Sequence, residues 1–167
     1  MASALATGLL SGIWAYIAPL FGILTWAGFA GCTTFFAVGT GGRKAMTTAM
    51  ITNTTGVACG MLIFGLSASI DLPAGAAIFS GIVTSVMVLL GNVRPMNYTP
   101  GIFVGCFSTF AVGGDWLVVL ISLLCGVLLG FFSAELGKVF ASWYQKISPK
   151  AVDEPQKTQV EEEKKLA

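Results

Sequence analysis

GCTTFFAVG, residues 31–39, returns as GCFSTFAVG at residues 105–113. Six of the nine positions are identical, a seventh pairs Thr34 with Ser108, and the offset is 74 residues. The echo continues outward. SGI at 11–13 recurs at 80–82, Ala27-xxx-Gly31 recurs as Gly101-xxx-Gly105, and GVACG at 56–60 recurs as GVLLG at 126–130. Two halves, about residues 5–68 and 74–137, therefore read as copies of one unit, with short insertions in the loops.

The charges show what the unit is. Residues 1–42 carry none, and then Arg43, Lys44, Asp71, Arg94, Asp115 and Glu135 punctuate the chain. The intervals after Lys44 are 19 to 26 residues long, the length a helix needs to cross about 30 Å of hydrocarbon. The first interval is about twice that, room for two spans and a turn. Hydrophobic residues make up 55% of the chain and charged residues 10%, with a mean hydropathy of +0.83. A soluble domain carries about 25% charge, so a polytopic, all-α membrane protein is expected.

Six helices are predicted, near 4–21, 24–38, 44–67, 74–91, 99–112 and 115–137. MASALATGLL lacks a basic n-region and its apolar run continues too far for a signal peptide, so it reads as the start of the first span. Gly22 turns the chain between the first two helices, and Trp26 is an interfacial anchor. Asp71 and Pro73 stop the third. Thr99 and Pro100 look like the N-cap and first position of the fifth; Gly113 and Gly114 end it, and Asp115 opens the sixth. KVFASWYQK at 138–146 has an interfacial composition. Residues 148–167, with two prolines and the run EEEKK, read as a disordered charged tail.

Arg43, Lys44, Arg94 and the lysines after Glu135 all fall on one side of a six-span topology, and Asp71 and Asp115 fall on the other. The positive-inside rule then places both termini in the cytoplasm. Three helices per copy make the second copy enter the membrane from the opposite side, a 3+3 inverted repeat. Helices 2 and 5, at about 15 residues, barely span. Four spans plus two re-entrant segments would put both ends on one side as well.

The repeated phrase thus predicts two short antiparallel helices crossing near the midplane. Ala27, Gly31, Cys32, Gly101, Gly105 and Cys106 would form a seam of small residues. Thr34 and Ser108 would supply hydroxyls to a path, with Phe36 and Phe110 as its constriction. Thr48, Thr52 and Thr55 lie on one face of helix 3 with Cys59, and Asn53 lies near the bilayer centre, where an amide must face protein or water. The counterpart of Asn53 in helix 6 is Leu123, so the polarity is one-sided. The bland alternative is a packing seam whose hydroxyls bond back to their own helix.

Other chemistry has little support. There is no histidine, no CxxC and no intramembrane acid pair, so catalysis, metal, cofactor and proton coupling are not expected. The four cysteines read as small apolar residues. A net charge of +1 offers no nucleic-acid surface.

LLSGIWAYIAPLFGILTWAGFAGCTTFFA, PGIFVGCFSTFA and the Gly-Asp-Trp at 114–116 together resemble the YcdZ-like bacterial inner-membrane family. The resemblance spans about residues 5–137; SGIW with WAGFAGC is its specific part, and the tail lies outside it. It implies a bacterial cytoplasmic membrane protein and brings neither substrate nor catalytic residue with it. The expectation is a passive channel or facilitator for a small, mostly neutral solute, embedded in the lipid bilayer as a homo-oligomer. The alternative is a non-transporting scaffold or accessory subunit whose tail recruits a partner.

Overall fold

Where water is absent the backbone must satisfy its own polar groups, and helices do so within one segment. A computed structural model, describing residues 2–70 and 72–147, contains six of them: α1 (Ala2–Leu20), α2 (Thr25–Ala37), α3 (Gly42–Ser69), α4 (Gly75–Leu90), α5 (Thr99–Ala111) and α6 (Trp116–Ile147). Asp71 and the charged tail at 148–167 lie outside the described residues.

The breaks fall where backbone chemistry demands them. Gly22, Gly113 and Gly114 adopt positive φ, which costs glycine nothing sterically. Asp115 precedes α6, and its carboxylate accepts from the Val118 N–H at 3.5 Å, as an N-cap does. Tyr98 rather than Thr99 occupies the cap of α5, with Pro100 in its first turn. The sixth helix does not stop at Gly137. It runs on to Ile147, because Gly137 packs against Ser3 of α1 and the next proline is Pro149.

Three segments are long and apolar enough to cross a membrane: Ser3–Leu20, Gly42–Ser69 and Trp116–Tyr144. The 13 residues of α2 and of α5 extend only about 20 Å at 1.5 Å per residue. Their shortness agrees with the sequence.

The helices pair in a definite way. α3 packs chiefly on α5, and α2 on α6; α1 lies along α6, α4 along α3, and α3 and α6 also meet directly. The inner four helices form the core. Val57, Val119 and Leu123 join α3 to α6, Phe35, Ala45, Ala49 and Val127 join α2, α3 and α6, and Ile102, Cys106, Cys59 and Met87 join α5, α3 and α4. α1 and α4 flank this core and leave most of their apolar side chains exposed, as suits a face that meets lipid.

Candidate functional site at the helix crossings

The seam residues are buried, but their partners differ from the expected ones. Gly31 of α2 lies against the Leu123 carbonyl of α6, and Gly126 of α6 against the Gly28 carbonyl of α2. Gly105 of α5 lies against the Asn53 carbonyl of α3, and Gly56 of α3 against the Ile102 carbonyl of α5. At each of these four positions an added Cβ would collide with backbone. The small residues of α2 and α5 therefore pack mainly on the long helices rather than on each other, because α3 and α6 supply the complementary glycines. Ala27, Cys32, Gly101 and Cys106 are buried in the same crossings, and Gly101 abuts the Thr52 side chain.

Most buried hydroxyls bond to their own helix. Thr34 donates to the Ala30 carbonyl at 3.0 Å, Thr52 to the Thr48 carbonyl at 2.8 Å, Thr55 to the Ile51 carbonyl at 2.8 Å and Thr109 to the Gly105 carbonyl at 2.9 Å. Thr48 is half-buried and provides only that carbonyl. Four residues stand apart with unpartnered buried side-chain atoms, Asn53, Ser67, Ser108 and Ser133, and two of them, Asn53 and Ser108, lie wholly buried on the paired helices α3 and α5. Asn53 and Ser108 are 0% exposed, and neither the Asn53 Oδ1 and Nδ2 nor the Ser108 Oγ has a hydrogen-bond partner among the described residues. Both sit in the span where α3 and α5 cross. An unmade hydrogen bond on a buried polar group costs about 1–3 kcal/mol, so these atoms call for a partner beyond the described residues.

The two phenylalanines do not form one constriction. Phe36 is 46% and Phe110 42% exposed. Phe110 stacks on Phe64 of α3, with ring centroids 4.8 Å apart. Phe36 lines a groove with residues of α1 and α6. Both point out of the bundle because the inward positions of their helices are taken by glycine, cysteine and the small hydroxyls.

Two of the open grooves among the described residues bear on the site. One, of about 330 Å³, is lined by Thr54, Val57, Ala58, Met61, Trp116 and Leu120; the other, of about 460 Å³, lies between α1, α2 and α6. Neither is lined by Thr34, Asn53 or Ser108. The sequence also left two contacts unread. Trp14 donates its indole N–H to the Thr25 carbonyl at 3.1 Å and covers Gly28, which physically joins SGIW to WAGFAGC. Ser122 accepts from the Leu24 N–H at 3.0 Å and donates to the Val118 carbonyl at 2.6 Å. The signal for Ser122 was its place at the counterpart of Thr52 in α6; the signal for Trp14 was a polar-tipped ring one helix away from a glycine pair.

Comparison with known proteins agrees with the membrane reading. The chain is 38% identical over 135 residues to "Inner membrane protein YcdZ" of Escherichia coli (strain K12), covering 80% of this chain and 83% of that one. It is 36% identical over 140 residues to the protein of that name in Salmonella typhimurium, covering 83% and 88%. "Uncharacterized protein YahC" of Escherichia coli is 26% identical over 151 residues, covering 82% and 90%. No solved structure matches. Residues 4–138 match the family described as "Protein of unknown function (DUF1097)", and the chain belongs to that family.

Proposed function

We propose that the chain is a multi-pass protein of the bacterial inner membrane, built as a 3+3 inverted repeat with both termini cytoplasmic, that passes a small, mostly neutral solute. The observation that carries the solute path is the Asn53 amide. It is wholly buried, both of its ends are unpartnered, and Ser108 in the same crossing is in the same condition. Fully buried polar atoms without partners mark a place where water or a polar solute completes the bonding. The path runs past Asn53 and Ser108, and the glycine contacts hold it closed in this conformation. Phe36 and Phe110 lie outside it.

The repeat is supported by equivalent contacts. Positions 28, 31 and 35 of α2 touch 126, 123 and 130 of α6; positions 102, 105 and 109 of α5 touch 56, 53 and 60 of α3. The first helix of each set differs by 74 positions and the second by 70, the offsets of the repeated phrases.

Proteoliposomes loaded against a panel of small neutral solutes test the path. The expected result is swelling above that of empty liposomes, lost on Asn53→Leu with the fold intact. No flux for any solute would sink the reading. A second reading, a non-transporting scaffold or accessory subunit, draws support from the close backbone packing at both crossings. It expects deletion of 148–167 to abolish the cellular phenotype, whereas a facilitator keeps its flux. Assembly as a homo-oligomer belongs to the first reading, since symmetric assemblies are the common outcome for slim protomers.

A further inference from the structure

The larger of these two grooves lies where the first turns of α1, the end of α2 and the second half of α6 come together. Ser3, Thr7, Phe36, Ser133, Gly137 and Lys138 line its about 460 Å³. Ser133 is wholly buried, and its hydroxyl has no hydrogen-bond partner among the described residues. That sets it apart from Thr33, Thr34, Ser85, Thr109 and Ser122, each of which donates to the carbonyl four residues earlier. A helical serine normally satisfies itself in that way; Ser133 keeps its hydroxyl free at the groove.

The rest of the lining suits one kind of guest. A Cβ on Gly137 would sit 3.0 Å from the Ser3 Cα and 3.5 Å from its hydroxyl, so the missing side chain lets α1 bring Ser3 and Thr7 to the wall. Lys138 stands at the rim, two-thirds exposed, with its ammonium 2.6 Å from the Glu135 carboxylate. Glu135 competes for that ammonium, but Arg43 and Lys44, exposed just beyond α2, leave this end of the bundle net positive. Phe36, Ala134 and Ala141 make the remaining wall apolar. Hydroxyl donors within, a cation at the rim and apolar flanks match a phosphodiester carried on acyl chains, and basic pockets between helices take such headgroups.

We propose that this groove binds the headgroup of an anionic phospholipid of the phosphatidylglycerol class. Ser133, Ser3 and Thr7 donate to the phosphodiester and Lys138 neutralises it. The proposal requires only that the chain lies in a bilayer, and it stands apart from any solute path.

The full-length protein, purified in detergent and stripped of lipid, is titrated with phosphatidylglycerol, phosphatidylcholine and soluble glycerol 3-phosphate, and read by native mass spectrometry and thermal unfolding. One phosphatidylglycerol per chain should be retained, about fivefold or more tighter than phosphatidylcholine, with a raised unfolding temperature. Ser133→Ala and Lys138→Gln should each weaken it about fivefold, whereas Arg94→Gln, in the exposed loop between α4 and α5, should not. Equal retention of phosphatidylcholine overturns the proposal, as does equal competition by glycerol 3-phosphate, which would point to a free anion. Full binding by both variants, or an equal loss with Arg94→Gln, also overturns it. If Ser133→Ala does not fold, Thr7→Val takes its place with the same expectation.

Discussion

At the α2–α6 crossing, Gly31 rests on the Leu123 carbonyl and Gly126 on the Gly28 carbonyl; at the α3–α5 crossing, Gly105 rests on the Asn53 carbonyl and Gly56 on the Ile102 carbonyl. The backbones approach in the same way twice, while the side chains around them differ. Leu123 faces one interior and Asn53 the other; Phe35 packs on Gly130 where Thr109 packs on Gly60. In lipid the apolar side chains gain little from leaving a solvent as oily as themselves, so close packing carries helix association. That explains why the glycines are held alike. The polar residues are then the variable part: Thr52, Asn53, Ser108 and Thr109 are buried on α3 and α5, and Thr34, Ser122 and Ser133 on α2 and α6, with the buried amide at α3–α5.

The largest expected effect tests the shared device. Gly56→Leu and Gly126→Leu should each prevent folding or destabilise by about 3 kcal/mol or more, since overpacking a tight site forces helix shifts. The two losses, read as detergent-solubilised unfolding midpoints, should be similar. Gly8→Ala and Gly12→Ala on α1, where nothing lies within 4 Å of an added Cβ, should be neutral or slightly stabilising, because alanine favours the helix. Tolerance at Gly56 with intolerance at Gly126 would break the equivalence of the crossings.

The next effect tests the difference. Asn53→Leu removes an amide with no partner among the described residues and should stabilise the protein by about 1–3 kcal/mol. The reverse change, Leu123→Asn, buries a new amide in the other crossing and should destabilise by about the same amount. Unfolding midpoints of the two variants measure both. A destabilised Asn53→Leu would mean that the amide has a structural partner, and the solute path would lose its main support.

How much of this was legible in the sequence follows from the same physics. Charge spacing and glycine-rich breaks located all six helices, because a span without charge and a positive φ at Gly22 or Gly113 leave direct marks on composition. The phrase at 31–39 and 105–113 pointed to Gly31, Cys32, Gly105 and Cys106, which lie buried. It could not mark the partner, since a small residue advertises that something comes close but not which helix does. The outward turn of Phe36 and Phe110 was hidden for a related reason: an apolar ring suits lipid and core equally well. The extension of α6 to Ile147 was hidden because Gly137 reads as a break until Ser3 is seen against it.

The smallest effect concerns a pair that the offset of 70 makes counterparts, Ser122 and Thr52. Both are wholly buried, and both hydroxyls donate to a carbonyl one turn back. Only Ser122 also accepts from another segment, the Leu24 N–H that precedes α2. A helix leaves its first N–H groups without intrahelical partners, so the Ser122 hydroxyl closes a gap that Thr52 does not. Ser122→Ala should therefore cost about 1 kcal/mol, the loss of one buried bond with its donor left unpaired. Thr52→Val, which forfeits only a bond within its own helix, should stay within about 0.5 kcal/mol. Hydrogen exchange at the Leu24 amide is the sharper measurement. It should quicken in Ser122→Ala and stay unchanged in Thr52→Val, and equal exchange in both would remove the asymmetry assigned to the start of α2.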